Sequence, residues 1–465
     1  MNNNASKAKP FGLADKVGYM FGDFGNDFTF LLSSSFLLKF YTDVMGVDAI
    51  IVGLMMTVAR VLDAFTDVAM GQICDRSRPL AKGKFAPWLR RMCGPVAVAS
   101  FLMYASWFQD MAMGFKIFWM FLTYLLWGSV FYTSINIPYG SMASAISPEA
   151  KDRASLSSWR TIGATLANVA IGVVLPLVVY YSDTNGNTVL SGSRMSLAAL
   201  GCSIGAVICY LICYHLTTER VKIEKINQSF NLVQLLKSLV TNRALVGIIV
   251  AAIMLLLSQL TLSSMGQYIY PNYFGSAAGL SIANGLSSVL TLVLAMIVPS
   301  LAAKVGKKEL SIFGSLLGAA ALFVAFLLHT DNLIVWIVLY LIAYMGIAFF
   351  NVVCWAMITD VIDDAEVRTG QRTDGTIYSV YSFARKLGQA ASSSLSGTML
   401  TMIGYTSATA FDAAVLDGIY NITCLVPAAG FVLLALALAL IYPLGKKQVE
   451  KNIAYLKEKN QQKDQ

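Results

Sequence analysis

The stretch AIIVGLMMTVARVLDAFTDVAMGQIC, residues 49–74, decides how the rest of the chain is read. It is long and apolar enough to cross a bilayer as a helix, for which about 20 residues suffice. Yet Arg60, Asp63, Thr66 and Asp67 lie in its interior. On a helix, Asp63 and Asp67 fall one turn apart on one face, with Arg60 on the same stripe. A charge at that depth costs on the order of several kcal/mol unless it is paired, hydrated or turned to a cavity. Residues placed there point to function rather than to packing.

Outward from this stretch, the composition agrees. Of 465 residues, 57% are apolar and only 13% charged, against about 25% charged in an ordinary soluble domain. The net charge of +8 sits in short loops and the C-terminal tail, which fits membrane topology and not nucleic acid. The polar start MNNNASKAKP lacks the apolar core of a cleaved leader, so the first helix is expected to be an uncleaved anchor. Cys74, Cys93, Cys202, Cys209, Cys213, Cys354 and Cys424 fall in or beside apolar runs without a CxxC pair. They read as small core residues. Two histidines, His215 and His329, exclude a histidine metal site.

Twelve spans are predicted, at 17–41, 49–74, 87–108, 116–139, 158–182, 195–216, 244–268, 277–302, 310–329, 333–358, 375–403 and 419–442. Basic residues crowd alternate loops, from Lys7, Lys9 and Lys16 through Arg76, Arg78, Lys82 and Lys84 to Arg368 and Arg372 and on to Lys446, Lys447 and Lys451. The other loops hold mostly Asp. Both termini are therefore expected in the cytoplasm, in a multi-pass protein of the plasma membrane. The expected organisation is an all-α polytopic protein. It has a six-helix bundle over 1–216, a cytoplasmic central loop over 217–243, a second six-helix bundle over 244–443 and a cytoplasmic tail over 444–465. Two pseudo-symmetric six-helix halves are the layout of the major facilitator fold, with substrate bound near the midplane between them.

The in-span polar residues carry the chemistry. Asp63 and Asp67 repel one another, and a proton or a sodium ion relieves that repulsion. Asp27, within Gly22-Asp23-Phe24-Gly25-Asn26-Asp27-Phe28, suits two sugar hydroxyls. Thr133 and Asn136 lie one turn apart in YTSINIPYGS, residues 132–141, ahead of the helix-freeing Pro138. Arg160 lies near the cytoplasmic end of span five, where a substrate role and a snorkelling side chain are both open. In YSVYSFARKLGQ, residues 378–389, Arg385 and Lys386 sit adjacent about ten residues into a helix, projecting about 100° apart. Lys386 suits a counter-charge to the acidic pair. Arg385 suits a carboxylate in bidentate geometry. The basic loop DRSRPLAKGK, residues 75–84, reads as topology charges or as gating contacts.

These motifs together, GNDF, FYTDVMG, ARVLDAFTDVAMG, GKFAPW, YTSINIPYGS, ITDVIDDAE and GQRTDGTIYSVYSFARKLGQA, resemble the glycoside–pentoside–hexuronide:cation symporter family over nearly the whole chain. The resemblance implies that Asp63, Asp67, Thr66 and Thr133 form the cation site, with Na+ at Asp63 and Asp67 possible. It implies that Lys386 links this site to the substrate; Arg60, on the same stripe as the acidic pair, is expected to take part in the coupling. Asp27, Asn136 and Arg160 would then hold the sugar, with Tyr132, Tyr139, Tyr381, Ser382, Arg385 and Lys386 beside them. Thr66 and Asn136 depart from the melibiose-transporting members, which leaves both the ion, Na+ or H+, and the sugar open between hexuronide and neutral pentoside or glycoside. The expected function is cation-coupled sugar import by alternating access, with no cofactor and a monomeric functional unit in the lipid bilayer. The alternatives are an uncoupled facilitator or exporter on the same fold and a sugar-sensing membrane protein. An enzyme is not expected.

Overall fold

The computed structural model describes residues 10–80, 82–221, 242–370 and 374–463. The expected central loop falls mostly at 222–241, outside them, as do Lys7, Lys9 and Arg372. Twelve long helical segments run through the described residues. The first six are α1 Leu13–Asp43, α2 Ala49–Arg76, α3 Ala86–Leu102, α4 Met113–Ile146, α5 Lys151–Val179 and α6 Gly192–Leu216. The next six are α7 Arg243–Tyr273, α8 Ala277–Val305, α9 Lys307–Leu328, α10 Leu333–Thr369, α11 Asp374–Met402 and α12 Ala413–Ile441. A thirteenth, α13, spans Lys446–Lys463. Nine of the described helices are apolar and long enough to cross a bilayer. Of the other three long segments, α3 has 17 residues, and α1 and α11 are interrupted by the polar residues that make them interesting. Large apolar side chains such as Leu197, Met296 and Ile334 lie exposed on the outer faces, as lipid contact requires.

The chain divides into two compact units, Met1–Gln228 and Ser229–Gln465. In the first, α1 packs on α5 and α6, α2 on α4, and α3 on α4 and α6. In the second, α7 packs on α11 and α12, α8 on α10, and α9 on α10 and α12. The pairing recurs with an offset of six helices, as an internal repeat would give. Helices approach closely where side chains vanish. At Gly163 of α5 a Cβ would land on the Met20 carbonyl of α1, and at Gly346 of α10 on that of Gly314 in α9.

Four helices loosen into π turns, at Leu126–Tyr132, Val169–Val174, Ile269–Tyr273 and Ala437–Ile441. Such turns admit an extra residue and re-aim the side chains after them. The sequence reading contains no strand, but Tyr180–Ser182 and Thr188–Leu190 form a small antiparallel hairpin between α5 and α6. Its turn is held by Asp183, whose Oδ1 accepts from the amides of Asn185 and Asn187 at 2.8 Å.

Charged ends fold against their own unit. Glu219, just past α6, accepts from the amides of Lys84, Phe85 and Ala86 at 2.7–2.9 Å and so caps α3. Span ten runs to Thr369 rather than 358. Its acidic extension is satisfied there: Lys307 donates to Asp360 at 2.7 Å, and Asn452 of α13 donates to Asp364 at 3.1 Å. The C-terminal tail is therefore docked on α10 at Asn452, which is buried.

Candidate functional site

Helix α2 sets Asp63 and Asp67 one turn apart, and α4 answers with two hydroxyls at the same spacing. Ser129 donates to Asp63 Oδ1 at 2.6 Å, and Thr133 donates to Asp67 Oδ1 at 2.8 Å. The π turn at Leu126–Tyr132 places both. Its Gly128 lies against the Asp63 carboxylate, and the Gly128 carbonyl also accepts from Thr133 at 3.1 Å. Arg60, buried, pairs with the other oxygen of Asp63 at 3.5 Å, and its guanidinium lies 5.0 Å from the centre of the Phe30 ring. Thr66 is not brought to a carboxylate side chain. Its hydroxyl donates at 3.3 Å to the main-chain carbonyl of Asp63 in its own helix. The second hydroxyl is Ser129, which the sequence reading passes over although its spacing to Thr133 repeats that of the two aspartates.

A second cluster joins α1, α4 and α5. Arg160 donates from Nε to Asp23 at 2.7 Å, and its guanidinium lies 5.5 Å from the Tyr139 ring centre. Its side chain remains 45% exposed. Tyr139 itself is fully buried. It stacks on Tyr19 at 4.6 Å and donates to the Tyr19 carbonyl at 2.7 Å. Its ring is thus occupied by protein, and it offers a sugar no open face in this arrangement. Tyr132 is half-buried against Phe30 and Trp127. Asp27 and Asn136 are half-buried and make no side-chain hydrogen bond or ion pair to the described residues. Their acceptor and donor atoms are available to a ligand.

In the second unit, Arg385 and Tyr381 lie one turn apart on α11, as Ser382 and Lys386 do. Arg385 donates to the Tyr381 hydroxyl at 3.4 Å, and its guanidinium lies 5.7 Å from Trp355 of α10 and 5.8 Å from the Tyr381 ring. Tyr381 is fully buried and meets Trp355 edge-on at 5.3 Å. Its hydroxyl and ring are thus taken up by Arg385 and Trp355. Trp355 has no polar motif around it in the sequence to mark it out.

Two similarly packed units of long apolar helices that carry carboxylates and arginines in their interiors suit a membrane protein that handles a polar solute. The chain matches the family described as MFS/sugar transport protein over residues 18–446, and it belongs to that family. It is 32% identical over 444 residues to the uncharacterized symporter YjmB of Bacillus subtilis (strain 168), covering 95% of this chain and 94% of that one. It is 34% identical over 436 residues to the glucuronide carrier protein homolog of Escherichia coli (strain K12), covering 93% of each. Among solved structures, a bacterial homologue of the human lysosomal transporter Spinster aligns with a TM-score of 0.70 at 12% identity, covering 95% of this chain and 97% of that one. At that identity the likeness is one of fold, the major facilitator fold. The protein is a multi-pass membrane transporter and not an enzyme.

Proposed function

We propose that this transporter is a cation-coupled symporter of the glycoside–pentoside–hexuronide type, importing a sugar or sugar derivative together with Na+ or H+ by alternating access. The carrying observation is the ladder of Asp63 and Asp67 with Ser129 and Thr133. Two carboxylates one turn apart, each held by a hydroxyl, form a compact set of oxygens that a small monovalent cation or a proton relieves of repulsion. Arg60, at 3.5 Å from the other oxygen of Asp63, orients that carboxylate.

Asp27, Asn136 and Arg160 then bind the sugar by its hydroxyls. The resemblance in motifs and the relatives named as symporter and as glucuronide carrier homolog support this reading. Both termini and the central loop are assigned to the cytoplasmic side by the distribution of Lys and Arg. The test is uptake of labelled glycosides into proteoliposomes with imposed Na+ or H+ gradients. Accumulation above the outside concentration that collapses with one of the two gradients supports coupling. Equilibration alone, unaffected by either, makes the protein a facilitator, and net flux outward an exporter.

A further inference from the structure

Among the described residues, several cations set deep within the long helices have an acid beside them. Lys39 pairs with Asp43, Arg60 with Asp63, Arg160 with Asp23 and Lys307 with Asp360. Arg385 does not. It stands eleven residues beyond the first residue of α11, roughly 16 Å along the helix, half-buried, with no carboxylate at ion-pair distance among the described residues. What it has is geometry. The Trp355 and Tyr381 rings flank it, and the Tyr381 hydroxyl accepts one of its five N–H donors. Ring faces attract a guanidinium but leave its in-plane fork unfilled. A desolvated cation without a counter-ion is unfavourable in a membrane interior, and the rings offset only part of that.

One turn before Trp355 on α10, Asn351 donates to Gln259 of α7 at 3.1 Å. The Asn351 side-chain carbonyl and the Gln259 amide nitrogen make no further hydrogen bond among the described residues and are left to meet hydroxyls. A fixed guanidinium fork, an aromatic wall and an amide pair on one side of α10 match a sugar carrying a negative charge.

We propose that Arg385, held between Trp355 and Tyr381, anchors the acidic group of the transported sugar, a carboxylate or a sulfonate, with Asn351 and Gln259 serving its hydroxyls. This rests on the reading of the protein as a sugar transporter and narrows it to acidic sugars. Trp355 and Tyr381 act as positioning residues: they hold the fork open toward the ligand and do not themselves recognise charge.

Equilibrium binding to the purified full-length protein, by calorimetry without any gradient, tests it. The probes are 4-nitrophenyl β-D-glucuronide, the 6-sulfo analogue of the glucoside, and the neutral 4-nitrophenyl β-D-glucoside. At least one acidic probe should bind the unaltered protein more tightly than the neutral one, and which of the two does so identifies the anion. Arg385→Ala should weaken that probe by about 10- to 100-fold and change the neutral one by less than about threefold. Arg385→Lys should recover part of the loss, since a point charge replaces the fork. Trp355→Leu should weaken the acidic probe without altering its preference over the neutral one.

Equal loss of all probes in Arg385→Ala, in a protein of unchanged melting temperature, overturns the proposal. So does tighter binding of the neutral glucoside by the unaltered protein. Because no gradient is present, failure of ion coupling leaves this result untouched, and failure here leaves the coupling result untouched.

Discussion

Ser129 donates its hydroxyl proton to Asp63 across 2.6 Å, one helical turn from the point where Thr133 does the same for Asp67. Ser129→Ala takes one oxygen from the set and loosens the Asp63 carboxylate, so half-maximal uptake moves to a higher concentration of the coupling ion if that ion is Na+. Hydrogen bonds to charged groups contribute roughly 1.5–3 kcal/mol, so a shift of about tenfold is expected. Sugar uptake titrated with Na+ reads it, and an unmoved Na+ dependence removes Ser129 from the site.

Arg60 and Asp63 are both buried, at 3.5 Å. Arg60→Ala removes one partner of a buried carboxylate, a loss of the kind that costs up to roughly 3–5 kcal/mol. The melting temperature in detergent should fall clearly. Adding Asp63→Asn should restore part of it, because the charge that Arg60 balanced goes too. A double variant as unstable as the sum of the two singles would show that the pair contributes nothing.

The close approach of α5 to α1 at Gly163 sets the Arg160–Asp23 pair at 2.7 Å. Gly163→Ala forces the two helices apart, an overpacking cost of roughly 1–3 kcal/mol. Reduced thermal stability together with weaker sugar binding is the expected result. A variant indistinguishable from the parent protein in both would show that α1 and α5 are not held by this contact.

Most of the fold was legible because lipid imposes a simple rule: long apolar stretches must be helices, and each predicted span has a helix. The misses have local causes. Span ten overran its expected end because Asp360 and Asp364 find partners in Lys307 and Asn452, which sequence periodicity does not reveal. The hairpin at 180–190 is too short for an alternation signal. At the candidate site, Asp63, Asp67 and Arg60 are legible because charge inside an apolar run is conspicuous. Ser129 and Trp355 are not, because a serine and a tryptophan in a membrane helix are ordinary, and only the π turn and the α10–α11 packing give them meaning. The burial of Tyr139 against Tyr19 is likewise a matter of helix packing that its place in the motif does not reveal.

The docked tail makes a separate prediction. Asn452 donates to Asp364 inside the second unit. Asn452→Ala should cost roughly 1–3 kcal/mol of stability. Asn452→Asp should cost more, since it sets a second carboxylate against the first. Melting curves of the two variants rank them, and a reversed order would place the interaction elsewhere.

The account stands or falls on whether Asp63 and Asp67 couple ion to sugar. The direct measurement compares the unaltered protein with Asp63→Asn/Asp67→Asn in proteoliposomes, recording gradient-driven accumulation and sugar counterflow on the same preparations. The account predicts that the double variant loses accumulation while retaining counterflow, because the sugar still binds and crosses without a driving ion. Accumulation at the level of the unaltered protein, with the carboxylates gone, would contradict it.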